Sequence, residues 1–165
     1  MICKPIIEEQ IKKISVGDVL NVTGKIYCGR DAVLPKVCEL ARKGKLAEYG
    51  IDLEGSIIFH TAVSVAGVGP TSSNKAEIEG SFEELSKAGV RMHIGKGAIS
   101  KETIATLDKY NSLYAIVPPV TALLTDNIIS KRLVAFQELG MEAFYELEIK
   151  NYKVIVAAVN NQSIC

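Results

Sequence analysis

Two hydrophobic periods alternate along this chain. The pattern over Asp18–Tyr27, entered from the turn signal Gly17-Asp18, predicts a strand. Leu34, Val37, Cys38 and Ala41 then fall at i, i+3, i+4 and i+7 and share one face of a helix. Pro35 sits in its first turn, where the missing N–H is not needed, and Gly44 stops it. Ser56–Val65 is rich in β-branched residues and predicts a buried strand. Gly67–Asn74 reads as a loop. Ser81-x-x-Glu84 has the form of a capping box, opening a short helix that Gly89 closes. Val90–Ile94 predicts a strand, broken by Gly95-Lys96-Gly97. Ser100 caps a helix with Ile104, Leu107 and Tyr110 on one side. Leu113–Val117 is a further strand, stopped by Pro118-Pro119. Val120–Thr125 adds a helical turn or two, and Arg132–Phe136 reads as strand. Tyr145, Leu147 and Ile149 alternate with Glu146, Glu148 and Lys150, the signature of a half-exposed strand. A joint at Lys150-Asn151 leads to Val154–Val159, apolar throughout and so covered on both faces.

Three strand–helix units and a terminal hairpin predict one α/β domain over residues 1–165, with a mixed sheet and flanking helices. Nineteen basic residues balance nineteen acidic ones, which argues against broad binding to nucleic acid or to an anionic membrane. A local cluster of cations is still allowed. The four cysteines (Cys3, Cys28, Cys38 and Cys165) include no C-x-x-C pair, and His60 and His93 are the only histidines. That is poor material for a self-contained zinc or iron–sulfur site. The expectation is a reduced, cytoplasmic protein, and Met1–Gln10 has no apolar run that suggests a signal peptide or membrane span. His60 and His93 lie in apolar strands and read as buried, hydrogen-bonded structural residues. Cys28 reads as packing, since no base is paired with it.

In α/β folds, loops that follow strands and precede helices carry ligand sites. Three loops qualify here. Gly69-Pro70-Thr71-Ser72-Ser73 combines close backbone approach with three hydroxyls, and Lys75 adds a cation. Gly95-Lys96-Gly97 holds a lysine in a sharp turn. Gly29-Arg30-Asp31 offers a guanidinium that can clamp a carboxylate with two bonds. Taken singly, each is equally an ordinary surface turn. Taken together, Arg30, Lys75 and Lys96 around a hydroxyl-rich loop describe a site for a small dicarboxylate.

These residues resemble one family. Gly24–Ala32 is similar to the G-x-I-x-x-x-R-D-A stretch of class I fumarase and L-tartrate dehydratase β subunits. Gly69–Ser73 resembles their G-P-T-T-S loop, Gly95-Lys96-Gly97 their K-G turn, and Glu138–Ala143 their E-L-G-M-E-A segment. The matches keep their order and spacing from about Lys4 to Val159. Three features depart, and one is that the segment after Phe59-His60 lacks the glycine–proline often found there. Lys75 stands where the family usually has an arginine, and Leu34 where it has a histidine.

The resemblance implies a swivelling β/β/α domain. It implies the β subunit, or C-terminal half, of a fumarate hydratase-type hydro-lyase that interconverts fumarate and L-malate. A dehydratase for L-tartrate or another hydroxy-dicarboxylate is the alternative. A non-catalytic binding module on the same fold is the reading from a different class. The [4Fe-4S] cluster would sit on a separate α subunit, so the chain works in a hetero-oligomer, or as a homodimer when alone. By the same resemblance Arg30, Lys75 and Lys96 would bind substrate carboxylates, and Thr71 would stand at the proton-transfer position.

Overall fold

The computed structural model describes residues 2, 5–29, 32–64, 67–71, 75–95, 99–117 and 128–163. In chain order the elements are α1 (Glu8–Lys12), β1 (Val19–Cys28), α2 (Leu34–Arg42), β2 (Ile57–Phe59), β3 (Thr61–Ser64), β4 (Gly67–Thr71), α3 (Lys75–Lys87), β5 (Met92–Gly95), α4 (Lys101–Lys109), β6 (Leu113–Ile116), β7 (Ile128–Ala135), β8 (Phe144–Val159) and β9 (Gln162–Ser163). Two 3-10 turns, Leu46–Tyr49 and Gln137–Glu142, join them. No helix among the described residues is long and apolar enough to cross a membrane.

Strands β1, β2, β5 and β6 lie side by side and parallel. The 16-residue β8 runs antiparallel to this set and touches both of its edges. Its residues Tyr145 to Ile155 pair with β1, and Ile155 to Ala158 pair with β6. The circuit β1–β2–β5–β6–β8 therefore closes on itself. Strand β7 adds to the other edge of the first half of β8, and β3 and β4 form a separate two-stranded ribbon. The α/β class with a mixed sheet and flanking helices is what the sequence predicts.

Alternation along the strands sorts the side chains. Ile26 and Cys28, Ile57 and Phe59, Met92 and Ile94, Leu113 and Ala115, and Leu147 and Ile149 join one interior cluster. Tyr27, Ile58, His93 and Tyr114 between them point outward under helices, and Glu148 is half-exposed, as the two-residue period of a strand requires. Tyr27 and Ile58 meet Val33, Leu34 and Val37 of the α2 region. Tyr114 meets Phe82 of α3 and Ile104 and Leu107 of α4. Val154–Val159 is covered on both sides, with Val154 and Val156 inside and Ala157 and Ala158 facing the α4 cluster. Ser100 caps α4 as expected, its Oγ accepting from the Thr103 N–H at 3.2 Å.

Several elements differ from the sequence pattern, each for a tertiary reason. Ser56–Val65 is not one strand. The chain leaves the sheet at His60, so β2 and β3 belong to different sheets. Residues Gly67–Thr71, expected as loop, form β4, because β3 supplies a partner for a segment with little strand preference of its own. The helix expected from Ser81 begins at Lys75, and Ser81 is buried within it. Lys75-Ala76-Glu77 are strong helix formers, and they carry the helix back past the capping-box signal. Strand β7 starts earlier than Arg132, at Ile128. The expected helical turn at Val120–Thr125 lies outside the described residues.

The joint at Lys150-Asn151 is a bulge inside β8, not a hairpin turn. Gly24 pairs with Ile149 and Val22 with Tyr152, so two residues of β8 oppose the single Thr23. Asn151 takes φ 54° and donates its N–H to Thr23 Oγ1 at 3.0 Å. Asparagine tolerates this left-handed conformation and a β-branched residue does not. Asn151→Val should therefore lower unfolding free energy by about 1–2 kcal/mol, and by more than Asn151→Gly does. Urea titration of the two variants measures the difference.

Candidate functional site

The four parallel strands end at a common edge. Cys28 is level with Phe59, Phe59 with Ile94, and Gly95 with Ile116. The ladder runs one residue further at two points. The Gly29 N–H donates to Phe59 O at 3.1 Å, and the His60 N–H donates to Ile94 O at 2.9 Å. From this edge the chain continues into the motif-bearing segments. Arg30 follows Gly29, and Lys96 follows Gly95; both cations lie outside the described residues, as do Ser72 and Ser73. Thr71 is the last residue of β4 and pairs with Thr61, the residue next to His60. The backbone of Thr71 thus stands at the exit of β2. Lys75 is the first residue of the 13-residue α3, which runs back from this edge. Its backbone occupies the positive end of the helix dipole.

Gly29 leaves no room for a side chain. A Cβ there would lie 2.8 Å from Val33 Cγ1 and 3.1 Å from both Leu34 Cδ2 and Phe144 Cδ1. Phe144 in turn stacks on Tyr27 at 5.0 Å. Leu34, at the position where the resembling family has histidine, is buried and packs here as core. The glycine before Arg30 is thus required by close packing between β1, α2 and β8.

A buried polar cluster lies between the sheet and α3, next to the point where the ribbon departs. His60 Nε2 is 3.1 Å from His93 Nδ1, and His93 Nε2 is 2.9 Å from Ser86 Oγ. Phe82 stacks on His93 at 4.3 Å and tilts against His60 at 4.9 Å. Both histidines are buried and hydrogen-bonded, as the sequence suggests. The sequence offered no sign of Ser86 as the third member, beyond its placement one helical turn after Phe82. Burial lowers the pKa of His60 to about 3. It also drives His93 well below the ordinary range, with His60 adding to the effect. Both rings are neutral at physiological pH. Among the described residues, His60 Nδ1 has no hydrogen-bond partner.

Two of the cysteines are described. Cys28 faces the barrel interior, where burial pushes its thiol far up. Cys38 is on the buried face of α2, its thiol pushed up to about 11 by burial first and by Glu84 next. Neither is a thiolate, and they lie in separate clusters. No group of three or more His, Cys, Asp or Glu residues among the described residues is placed to hold a metal ion. These residues do not fit as ligands of an iron–sulfur cluster.

Two measurements follow from this geometry. Gly29→Ala should destabilise the chain by about 1–3 kcal/mol through overpacking, read from its denaturant midpoint. The histidines set a pH dependence. From about pH 6.5 down toward 3, the unfolded chain protonates rings that stay neutral in the folded chain. Their contribution is complete above pH 6.5 and declines as pH falls, by ~1.4 kcal/mol per pH unit for each ring well below that point. The urea midpoint should therefore drop between pH 7 and pH 5, with a shallower slope in a His93→Asn variant.

Comparison with known proteins bears on what this edge is for. The chain is 30% identical to the L(+)-tartrate dehydratase subunit beta of Escherichia coli, over 94% of this chain and 80% of that one. It is 29% identical to a protein of Methanocaldococcus jannaschii named provisionally as the same subunit, over 93% of this chain and 84% of that one. It is 30% identical to a Geobacillus stearothermophilus protein named provisionally as a class I fumarate hydratase, over 92% of this chain but 30% of that longer protein. The family model described as Fumarase C-terminus matches residues 1–163, and the chain belongs to that family.

Proposed function

We propose that this chain is the substrate-binding half of a hydro-lyase for a small dicarboxylate, completed by an α subunit. Fumarate and L-malate are the first pair of substrates on this reading. The observation that carries it is the shared strand edge. Thr71 pairs with Thr61 there, and β1 and β5 end level with it immediately before Arg30 and Lys96. The relatives named as β subunits support a partner chain. The described residues offer an iron–sulfur cluster no ligands, so a [4Fe-4S] group would be held by the partner.

The residue types suit the chemistry. Removing water from malate takes a proton from a carbon beside a carboxylate. Charge then builds on that carboxylate, and cations fixed in advance stabilise it. Arg30 brings a planar fork that grips both carboxylate oxygens. Lys96 brings a point charge. Lys75 sits at the N-terminal end of α3, so its charge adds to that of the helix end. Thr71 is the residue assigned to proton transfer at carbon. A hydroxyl alone is a weak base, so a group of the partner must take the proton onward.

The second reading is a tartrate dehydratase, favoured by the β-subunit relatives that this chain covers over 80% or more of their length. Lys75 keeps the charge of the family's arginine but not its planar fork, which makes it a candidate for substrate choice. The deciding experiment joins the chain to its α subunit without oxygen and follows fumarate, malate and tartrate turnover. Thr71→Ala should cost about 10²–10⁴-fold in kcat with a smaller change in KM. Arg30→Ala should act mainly on KM. Turnover by this chain alone would overturn the reading. A cluster-loaded complex inert toward every dicarboxylate would leave a binding module in its place.

A further inference from the structure

The His60–His93–Ser86 cluster touches the three elements that precede or carry Thr71, Lys75 and Lys96. His60 is where the chain leaves the barrel and enters the β3–β4 ribbon, and Thr61 beside it pairs with Thr71 at the ribbon's end. His93 lies on β5, two residues before Gly95 and three before Lys96. Ser86 and Phe82 lie on α3, the helix that begins at Lys75. His60 is fastened twice to β5, through its N–H to Ile94 O at 2.9 Å and through its ring to His93 at 3.1 Å. His93 is fastened to α3 through Ser86 at 2.9 Å and through its stack on Phe82 at 4.3 Å.

We infer that His60 and His93 are positioning residues: their buried hydrogen-bonded chain locks the β3–β4 ribbon to β5 and α3, and so fixes Thr71 relative to Lys75 and Lys96. This inference rests on the proposed function for its catalytic consequence, but not for its structural one.

Packing alone does not account for the cluster. Two apolar side chains would fill the layer between sheet and helix and leave no bare polar atom behind. The pair instead buries an imidazole nitrogen, His60 Nδ1, with no partner among the described residues. A buried polar group without a partner is unfavourable. Directional bonds supply what apolar packing lacks, since they specify distance and angle between the elements they join. The ribbon also touches the Gln137–Glu142 turn and β1, but the histidine bonds are directional. Its only strand partner is within itself, as β3 pairs with β4 and with no strand of the barrel among the described residues. A placement error of about 1 Å in a reacting group can cost 10²-fold in rate.

Amide hydrogen exchange on the full chain tests the lock without any assumption about catalysis. In His60→Leu, exchange at Thr61 and Thr71 should speed up at least tenfold, while Ile26, Ile58 and Ile94 in the barrel keep their protection. His60→Gln, whose amide nitrogen replaces Nε2, should restore most of the ribbon's protection. In the assembled, cluster-loaded enzyme, His60→Leu should lower kcat about tenfold or more, with KM moved less, and His60→Gln should recover most of it. Should His60→Leu fail to fold, Ser86→Ala decides. It leaves both rings in place, and faster exchange confined to the ribbon supports the lock. Ribbon exchange at the wild-type rate in the folded variant overturns it. An assembled wild-type enzyme that is inert, alongside a ribbon loosened by His60→Leu, would overturn the proposed function and leave the lock standing.

Discussion

Strand β8 holds the molecule together by pairing with both edges of the parallel set. Four short parallel strands would otherwise expose two rows of unpaired N–H and C=O groups. By running along β1 from Val19 to Cys28 and then along β6 at Ile155–Ala158, β8 removes both edges at once. Closure also creates an inside. Ile26, Phe59, Met92, Ile94, Leu147 and Val154 meet there in one cluster, and the outward residues must then be covered by helices. The bulge at Asn151 belongs to the same constraint, since it absorbs the extra residue where β8 passes Thr23.

The site depends on this closure. Parallel strands send their C-terminal ends to one edge, and that edge collects the chain just before Arg30, at Thr71 and just before Lys96. The ends of β1 and β5 are thus one or two residues from Arg30 and Lys96, which are proposed to bind substrate. Gly29 shows how tight the junction is, since a single methyl group would collide with Val33, Leu34 and Phe144. The histidine cluster shows a different device. It accepts the unfavourable burial of polar groups in exchange for fixed geometry between three elements.

The departures from the family pattern separate along the same line. Leu34, in place of histidine, is buried and has become part of the packing under α2. Lys75, in place of arginine, stands at the start of α3. The first change is absorbed by the core, and the second falls on a residue proposed to bind substrate.

Much of this protein was legible in its residues. The i, i+3, i+4, i+7 pattern from Leu34 named α2, Ser100 named the start of α4, and the even alternation of Tyr145, Leu147 and Ile149 named the first half of β8. The ordered motifs around Arg30, Thr71 and Lys96 and at Glu138–Ala143 named the family, because four matches in sequence order are improbable by accident. Tertiary structure decided the rest. Nothing local to Ser56–Val65 says that the chain changes sheets at His60, and nothing local to Gly67–Thr71 makes it a strand; β3 does that. Lys150-Asn151 reads as a turn until β1 is laid beside it, when it becomes a bulge. The bond from His60 to His93 spans 33 residues. Periodicity reports which face of an element is buried, but not what it is buried against, and partners distant in sequence settle that.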